Sequence, residues 1–214
     1  MRELVKFPLL ELLPEAEKQT VISGLKMQKF DVGETIHERD ERSDVYFIFE
    51  GKIRIDMQDQ HGEFAFFDYR YPGSFIGWFS ALTDMPQPVT TTAMQKSLLG
   101  RMPGPAFMGM ILARREVCAY MLQMMAERLI SDTRRISNLI VLDALRRVAA
   151  EILERGNETM VAHVPARVDW AARLGMTRTT LAKQLSELCR RGCISIDGNK
   201  IKILDAQQLA DLVG

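Results

Sequence analysis

The stretch that decides the fold begins at residue 168. It reads Val168-Asp169-Trp170-Ala171-Ala172-Arg173-Leu174-Gly175-Met176-Thr177, then Arg178-Thr179-Thr180-Leu181-Ala182-Lys183-Gln184-Leu185-Ser186-Glu187-Leu188. Gly175 is placed to end one short helix, and Thr177 is a residue type that caps the start of another. Leu181, Leu185 and Leu188 recur at helical spacing and predict the buried stripe of the second helix. Two helices joined by a short glycine turn indicate a helix-turn-helix.

The opposite face of the second helix carries small or cationic side chains, which suit entry into the major groove of DNA. Arginine can bond guanine O6 and N7 together, while lysine and threonine reach phosphates or base edges. Residues 167–191 hold six basic and two acidic side chains, a balance that favours a polyanion partner. Beyond Gly192, the turn 197–199 between two short β-type runs predicts a hairpin wing; a purely structural helical hairpin is the alternative. The candidate DNA-binding residues are Thr177, Arg178, Thr179, Thr180, Lys183, Gln184 and Lys200.

A long helix is predicted before this region, from about Ala106 to Asn138. Apolar residues recur there at steps of four and three, which is the pattern of a two-helix seam. The alternative is a helix packed on its own domain. Asp132 interrupts the apolar series, and a buried carboxylate is costly unless paired, so we expect it to meet water, Arg135 or a ligand. Asp143 and Gly156 predict the cap and the end of a following helix. The candidate dimer-seam residues are Cys118, Leu122, Met125, Leu129, Ile136 and Leu139.

The N-terminal part of the chain has a different periodicity. After short helical turns up to about Leu25, it contains short runs of β-type residues separated by glycine turns at 33, 51, 62 and 73. This pattern predicts an antiparallel barrel or jelly roll. The expected fold class is α+β, with an N-terminal antiparallel β-roll at 1–104, a dimerisation helix at 105–139 and a C-terminal winged helix-turn-helix at 140–214.

Composition narrows the function classes. The 214 residues carry 28 basic and 28 acidic side chains, and the 47% hydrophobic content excludes a disordered chain. The start of the chain has no secretory cleavage site and no apolar run of membrane-spanning length, so we expect a cytoplasmic protein without a membrane partner. Cys189 and Cys193 lie four residues apart, a spacing compatible with a redox role or with burial.

No catalytic or metal-ligating set stands out. Three cysteines are too few for an iron–sulfur cluster, and three histidines show no haem or metal spacing. A jelly-roll enzyme of the cupin type would need a cluster of histidine and carboxylate on adjacent strands, so this alternative is distant and we expect no enzyme.

The arrangement resembles the cyclic-AMP receptor protein and fumarate-nitrate regulator (CRP/FNR) family of bacterial transcription factors. Residues 32–36, 44–53 and 72–77 are similar to the β-roll signatures of that family, and 174–181 to its turn and recognition helix. The resemblance implies a cyclic-nucleotide-binding-like roll, a homodimer, double-stranded operator DNA and RNA polymerase as partners. It places base readers on Arg178, Thr179 and Lys183, of which Thr179 and Lys183 differ from the usual residues, so the preferred half-site should differ too.

The effector region departs from the family pattern. Trp78 stands where cyclic-nucleotide binders carry a ribose-binding glutamate, and residues 85–90 lack the phosphate-binding arginine. Cyclic AMP is therefore not the expected effector, and a small molecule that is less anionic, or anchored differently, would take its place. The alternative is that the aromatic residues fill the roll and the regulator is constitutive. The candidate effector-pocket residues are Phe75, Gly77, Trp78, Phe79, Gln87, Pro88, Val89, Asp132 and Thr133, the last two being the positions of the adenine contacts.

Overall fold

A computed structural model describes residues 5–58, 64–157, 159–198 and 200–214. The chain divides into two compact units, Met1–Glu127 and Arg128–Gly214. In the described ranges, no helix is both long and apolar enough to cross a membrane.

The first unit is an antiparallel β-roll, which confirms the predicted fold class for this part. A 3-10 turn, Leu10–Leu12, and helix α1, Glu15–Gly24, precede the strands. The strands are β1 Lys26–Phe30, β2 Thr35–His37, β3 Val45–Glu50, β4 Ile53–Gln58, β5 Phe64–Arg70, β6 Phe75–Ile76, β7 Val89–Ala93 and β8 Ser97–Met102. One sheet has the order β1-β8-β3-β6 and the other β2-β7-β4-β5. The predicted turn at His61-Gly62 lies outside the described residues.

Two apolar clusters hold the roll together. The first joins the two sheets through isoleucines such as Ile48 and Ile53, both fully buried. The second is aromatic: the ring of Phe47 lies 5.6 Å from that of Phe75 and 6.3 Å from that of Phe107. Helix α2, Trp78–Thr83, follows β6 directly. The large area buried by such rings makes this cluster a main contributor to the stability of the roll.

The single helix predicted from about 106 to 138 is wrong, because two helices occupy this stretch. They are α3, Gly104–Leu112, and α4, Arg115–Val141. At the junction the amide of Ala113 donates to the carbonyls of both Gly109 and Ile111, which tightens the last turn of α3. Arg114 bonds Glu17 of α1, with 2.7 Å between Nε and Oε2. Neither glycine nor proline marks this junction in the sequence, so periodicity gave no sign of it.

The second unit contains the winged helix-turn-helix, as predicted. The carboxylate of Asp143 accepts from the amide of Arg146, which confirms the predicted cap. The helix ends at Arg155, directly before Gly156, as predicted, although Gly156 has a φ of −63° rather than the left-handed conformation common at helix ends. A Cβ there would come within 2.8 Å of Ile203 Cδ1, so the end of the Ile203 side chain would have to shift to admit one. The elements are α5 Ala144–Arg155, β9 Val161–His163, α6 Arg167–Arg173, α7 Arg178–Arg190, β10 Ile194–Asp197, β11 Lys200–Ile203 and α8 Ala206–Val213, with sheet order β10-β11-β9.

Candidate functional site

The turn between α6 and α7 is fixed by Gly175. Its φ of +61° lies in the left-handed region, which glycine adopts without the steric cost other residues pay. The amide of Gly175 donates to Ala172 O and that of Met176 to Ala171 O, each at 3.0 Å. These are the two bonds of a Schellman motif, which ends α6 and redirects the chain into α7.

Two of the predicted DNA-binding residues form the cap of α7. Thr177 Oγ1 accepts from the amide of Thr180 at 3.1 Å, and the two hydroxyl oxygens lie 2.9 Å apart. An N-cap of this kind satisfies one of the amide groups that the first helical turn leaves unpaired. The hydroxyls of both residues therefore have a structural role, and their DNA contacts stay a prediction.

The exposed face of α7 brings together three predicted base readers. Leu181, Leu185 and Leu188 are buried, as predicted, which turns the opposite face to solvent. Arg178, Thr179 and Lys183 are exposed on it, while Gln184 is half-buried and Lys200 is exposed at the start of β11. Within the described ranges, no carboxylate forms an ion pair with Arg178 or Lys183. Both cations can therefore bind phosphate or a guanine edge.

Other arginines of the basic stretch are paired with carboxylates of the same domain. Arg173 Nε lies 2.8 Å from Oε1 of Glu151, a buried carboxylate. Arg190 and Arg191 each lie 2.7 Å from Glu187 Oε1. The count of basic residues in the sequence therefore overestimates the charge that α7 offers to DNA.

Arg167 has a role that the sequence analysis did not predict, since there it was only counted among the basic residues of 167–191. Its Nη2 donates to the carbonyl of Gly198 in the wing turn at 3.3 Å, and its guanidinium stands 5.4 Å from the centre of the Trp170 ring. Burial lowers the pKa of Arg167 from its usual value. Arg167 thus joins the start of α6 to the wing.

We expect Glu187→Gln to strengthen binding to random-sequence DNA. The hydrogen bonds from Arg190 and then Arg191 lower the pKa of Glu187 to about 2, so the carboxylate is charged and holds both guanidiniums near neutral pH. Without it, an additional phosphate contact should steepen the slope of log affinity against log salt by about 0.9. Fluorescence anisotropy of a random duplex at several salt concentrations measures this slope. Asp211→Asn, which makes the same charge change on α8, is the control; equal slopes for the two variants would contradict the prediction.

The predicted aromatic residues of the effector pocket lie in or beside the roll core. Phe75 packs between Phe47 and Phe107, and Trp78 is partly buried against the same cluster. Phe79 is half-buried in α2. Gly77, just before α2, has a φ of +84°, and a Cβ there would lie 2.0 Å from the carbonyl oxygen of Asp44. Only glycine fits at this position.

Gln87 is held by three hydrogen bonds to neighbouring backbone. Its side-chain Nε2 donates to Gly77 O at 3.0 Å. Its backbone N–H donates to Glu41 O at 2.8 Å, and its backbone carbonyl accepts from the backbone N–H of Asp40 at 2.8 Å. The side chain is buried and uncharged. The residues that follow differ in exposure: Pro88 is exposed and Val89 is half-buried at the start of β7.

The two helix positions predicted for the effector pocket belong to α4. Asp132 Oδ2 accepts from Arg128 Nε at 2.9 Å, one helical turn earlier, rather than from Arg135. Thr133 is exposed. The ion pair explains how a carboxylate is accommodated in the apolar series of this helix, and a ligand role for either residue stays a prediction.

A cavity of about 560 Å³ opens in the roll at a different place. Its walls come from the segment 36–46, α2, β8 and the start of α3, and they contain none of the seven effector-pocket residues predicted in the roll. His37 and Ser80 are the buried polar residues among those that line this wall. Across the described ranges, no group of three or more histidine, cysteine, aspartate or glutamate residues could hold a metal ion. The three cysteines are free thiols, with Cys193 buried and Cys189 exposed.

Comparisons with known proteins agree with this architecture. Residues 27–114 match the cyclic nucleotide-binding domain family, and residues 117–212 match the Crp-like helix-turn-helix domain family. The CRP-like cAMP-activated global transcriptional regulator of Mycobacterium tuberculosis is 26% identical over 190 residues, which cover 85% of each chain. The transcriptional regulator SdrP of Thermus thermophilus is 28% identical, covering 80% of this chain and 84% of its own.

A solved structure shows the same fold over nearly the full length. A CooA mutant from Carboxydothermus hydrogenoformans superposes with a TM-score of 0.82 at 16% identity, covering 99% of this chain and 98% of that one. The two matched domains, in this order along the chain, account for the β-roll and for the winged helix-turn-helix with its exposed basic helix. This chain belongs to the CRP/FNR family of DNA-binding transcription regulators.

Proposed function

We propose that this regulator acts as a homodimer whose affinity for a two-half-site operator is set by a small effector other than cyclic AMP. The observation that carries the proposal is the row of exposed apolar side chains along α4. Leu122, Leu129 and Ile136 are 63%, 69% and 58% exposed at seven-residue intervals. Large apolar side chains aligned on one helix face favour burial against a second copy of the same helix.

The ends of the predicted seam contribute less than its centre. Cys118 is half-buried against the roll core. Leu139 packs beside Gly175, so closely that a Cβ added to this glycine would lie 3.2 Å from Leu139 Cδ2. The centre of the proposed seam is therefore Leu122, Met125, Leu129 and Ile136.

In such a dimer, the two copies of α7 would enter major grooves one helical turn apart, roughly 34 Å. Arg178, at the first position of α7, would read a guanine edge. Lys183 would bind a phosphate or a base edge, and Lys200 of the wing a phosphate. The position of the operator would decide whether RNA polymerase is recruited or blocked.

We expect cyclic AMP to bind weakly, with a dissociation constant in the millimolar range. Gln87 and Pro88 offer no cation to the cyclic phosphate, and the Gln87 amide group is already bonded to Gly77. Losing a buried charge-assisted contact costs about 2–5 kcal/mol, which moves a micromolar site towards millimolar. Calorimetry with cyclic AMP and cyclic GMP tests this. The Mycobacterium relative is named as cAMP-activated; a dissociation constant of about 10 µM or below for this chain would show that it binds cyclic AMP tightly and would overturn the prediction.

A second measurement distinguishes operator binding that is controlled by an effector from operator binding that is constitutive. Protein purified from its native host is compared with the same protein after unfolding, dialysis and refolding, which removes a reversibly bound effector. Gating predicts that refolding changes the operator affinity, and that a small-molecule extract of the host restores it. Equal affinity before and after would favour a constitutive regulator whose aromatic residues fill the roll.

A further inference from the structure

The roll cavity has the size and location of a ligand site. Its volume of about 560 Å³ falls in the range of roughly 300–1,000 Å³ that is typical of small-molecule pockets. The whole wall belongs to the first unit of the chain. Its polar side chains include His37, Ser43, Tyr46 and Ser80.

Unpartnered polar atoms are concentrated at His37, which lines the cavity, and at Thr91, which is paired with it on the next strand and lies outside the lining. These atoms are covered in the free protein, so a ligand would bond to the imidazole after its ring turns towards the cavity. His37 is 7% exposed, and neither ring nitrogen has a hydrogen-bond partner among the described residues. Thr91 is its cross-strand neighbour, is 4% exposed, and has an equally unpartnered Oγ1. Side chains of directly paired residues project on the same side of a sheet. Buried polar groups are nearly always hydrogen-bonded, so three such atoms on adjacent side chains require an explanation.

The charge state of the wall indicates what kind of molecule it would accept. Burial lowers the pKa of His37, against the opposing effect of Glu41 and Glu38, so the imidazole is neutral near pH 7 and offers one donor and one acceptor. Burial also raises the pKa of Tyr46, which keeps its hydroxyl protonated.

Both arginines of the wall already have carboxylate partners. Arg101 lies 2.5 Å from Asp44, and Arg42 lies 3.0 Å from Asp84. Arg101 is therefore held by a carboxylate, and water screens the charge of Arg42, whose side chain is 67% exposed. Glu41 is exposed, so water screens the attraction it could exert on a cation.

We propose that this cavity binds a small uncharged molecule that both donates and accepts hydrogen bonds, such as a carboxamide, and that His37 recognises it. The site shares no residue with the predicted effector pocket in the roll. The proposal does not require dimerisation or DNA binding, so its failure would leave the proposed regulator function standing.

Three probes with the same ring and different charge test the proposal: benzamide, benzoate and benzamidine. The full chain is labelled with 15N-histidine, and the ring nitrogens of its three histidines are followed by NMR. We expect benzamide to shift the His37 signals in a saturable way, with benzoate and benzamidine leaving them unchanged at the same concentrations. Absence of a benzamide shift, or equal binding of the charged probes, would overturn the proposal.

His37→Phe separates recognition from a structural role. Phenylalanine fills similar space without ring nitrogens, so benzamide binding should weaken by about tenfold or more while Tm does not fall. His163→Phe, an exposed residue of β9, is the matched control and should bind benzamide as the wild type does. A lower Tm for His37→Phe would show that the imidazole has structural partners, and retained binding would show that another group recognises the probe. If His37→Phe does not fold, the NMR titration of the wild type still decides.

Discussion

Replacing Leu129 by glutamate is expected to make the protein monomeric and to remove tight operator binding. Leu129 lies at the centre of the proposed seam, and its side chain is 69% exposed within one chain. In a dimer it would face its counterpart, so the substitution would place two carboxylates in an apolar seam, at a cost of several kcal/mol per unpaired buried charge. A monomer also loses the second half-site, and with it roughly 10²–10⁴-fold in avidity. Light scattering after size-exclusion chromatography measures the mass, and a titration with operator measures the affinity.

The matched control is Ile130→Glu, one residue further along α4. Ile130 is also exposed, but it lies outside the positions that repeat at four and three. This variant carries the same added charge and should remain dimeric. A wild-type protein that is monomeric at micromolar concentration, or a dimeric Leu129→Glu variant, would reject the seam.

Arg178→Ala is expected to weaken operator binding by about 1–3 kcal/mol, which is roughly 5–150-fold. Arg178 is the first residue of α7 and is exposed, and no carboxylate of the described residues pairs with it. A side chain at this end of a recognition helix reaches base edges, so the loss on random DNA should be smaller. The stability of the domain should not change, because Thr177 continues to cap the helix. Fluorescence anisotropy with operator and random duplexes measures both losses.

The control for Arg178 is Arg190→Ala in the same helix. The Arg190 guanidinium is bound to Glu187 at the other end of α7, so its removal should affect the operator far less. Equal losses of the Arg178 variant on both duplexes would make it a phosphate contact. If neither duplex bound more weakly, the assignment of this helix face to DNA would be wrong.

Features that depend on residues close together in the sequence could be predicted with single-residue precision. Helix α7 begins at Arg178 because Thr177 caps it, and α6 ends where Gly175 takes a left-handed conformation. The leucine stripe is buried as its spacing predicted. The cap and the turn depend on bonds within about one helical turn, and the stripe depends on the spacing of its leucines, so the local sequence contains the information.

Features set by distant residues could not be predicted. The junction between α3 and α4 involves Arg114 and Glu17, almost a hundred positions apart in the chain. The unpaired charge of the basic stretch depends on the pairing of Arg173 in α6 with Glu151 in α5. The cavity beside His37 is built from four separate segments. Composition gives the number of charged and aromatic side chains but does not show which of them are in contact.

The hydrogen bonds of Gln87 have a mechanical consequence for the roll. Through its backbone and side chain, this residue ties Asp40 and Glu41 to Gly77, which immediately precedes α2. Gly77 is itself packed against the carbonyl of Asp44. A ligand that displaces the 40–41 segment outwards would therefore also displace the first turn of α2, because the hydrogen bonds of Gln87 connect the two. The strand edge beside His37 and the aromatic start of α2 would then move as one part.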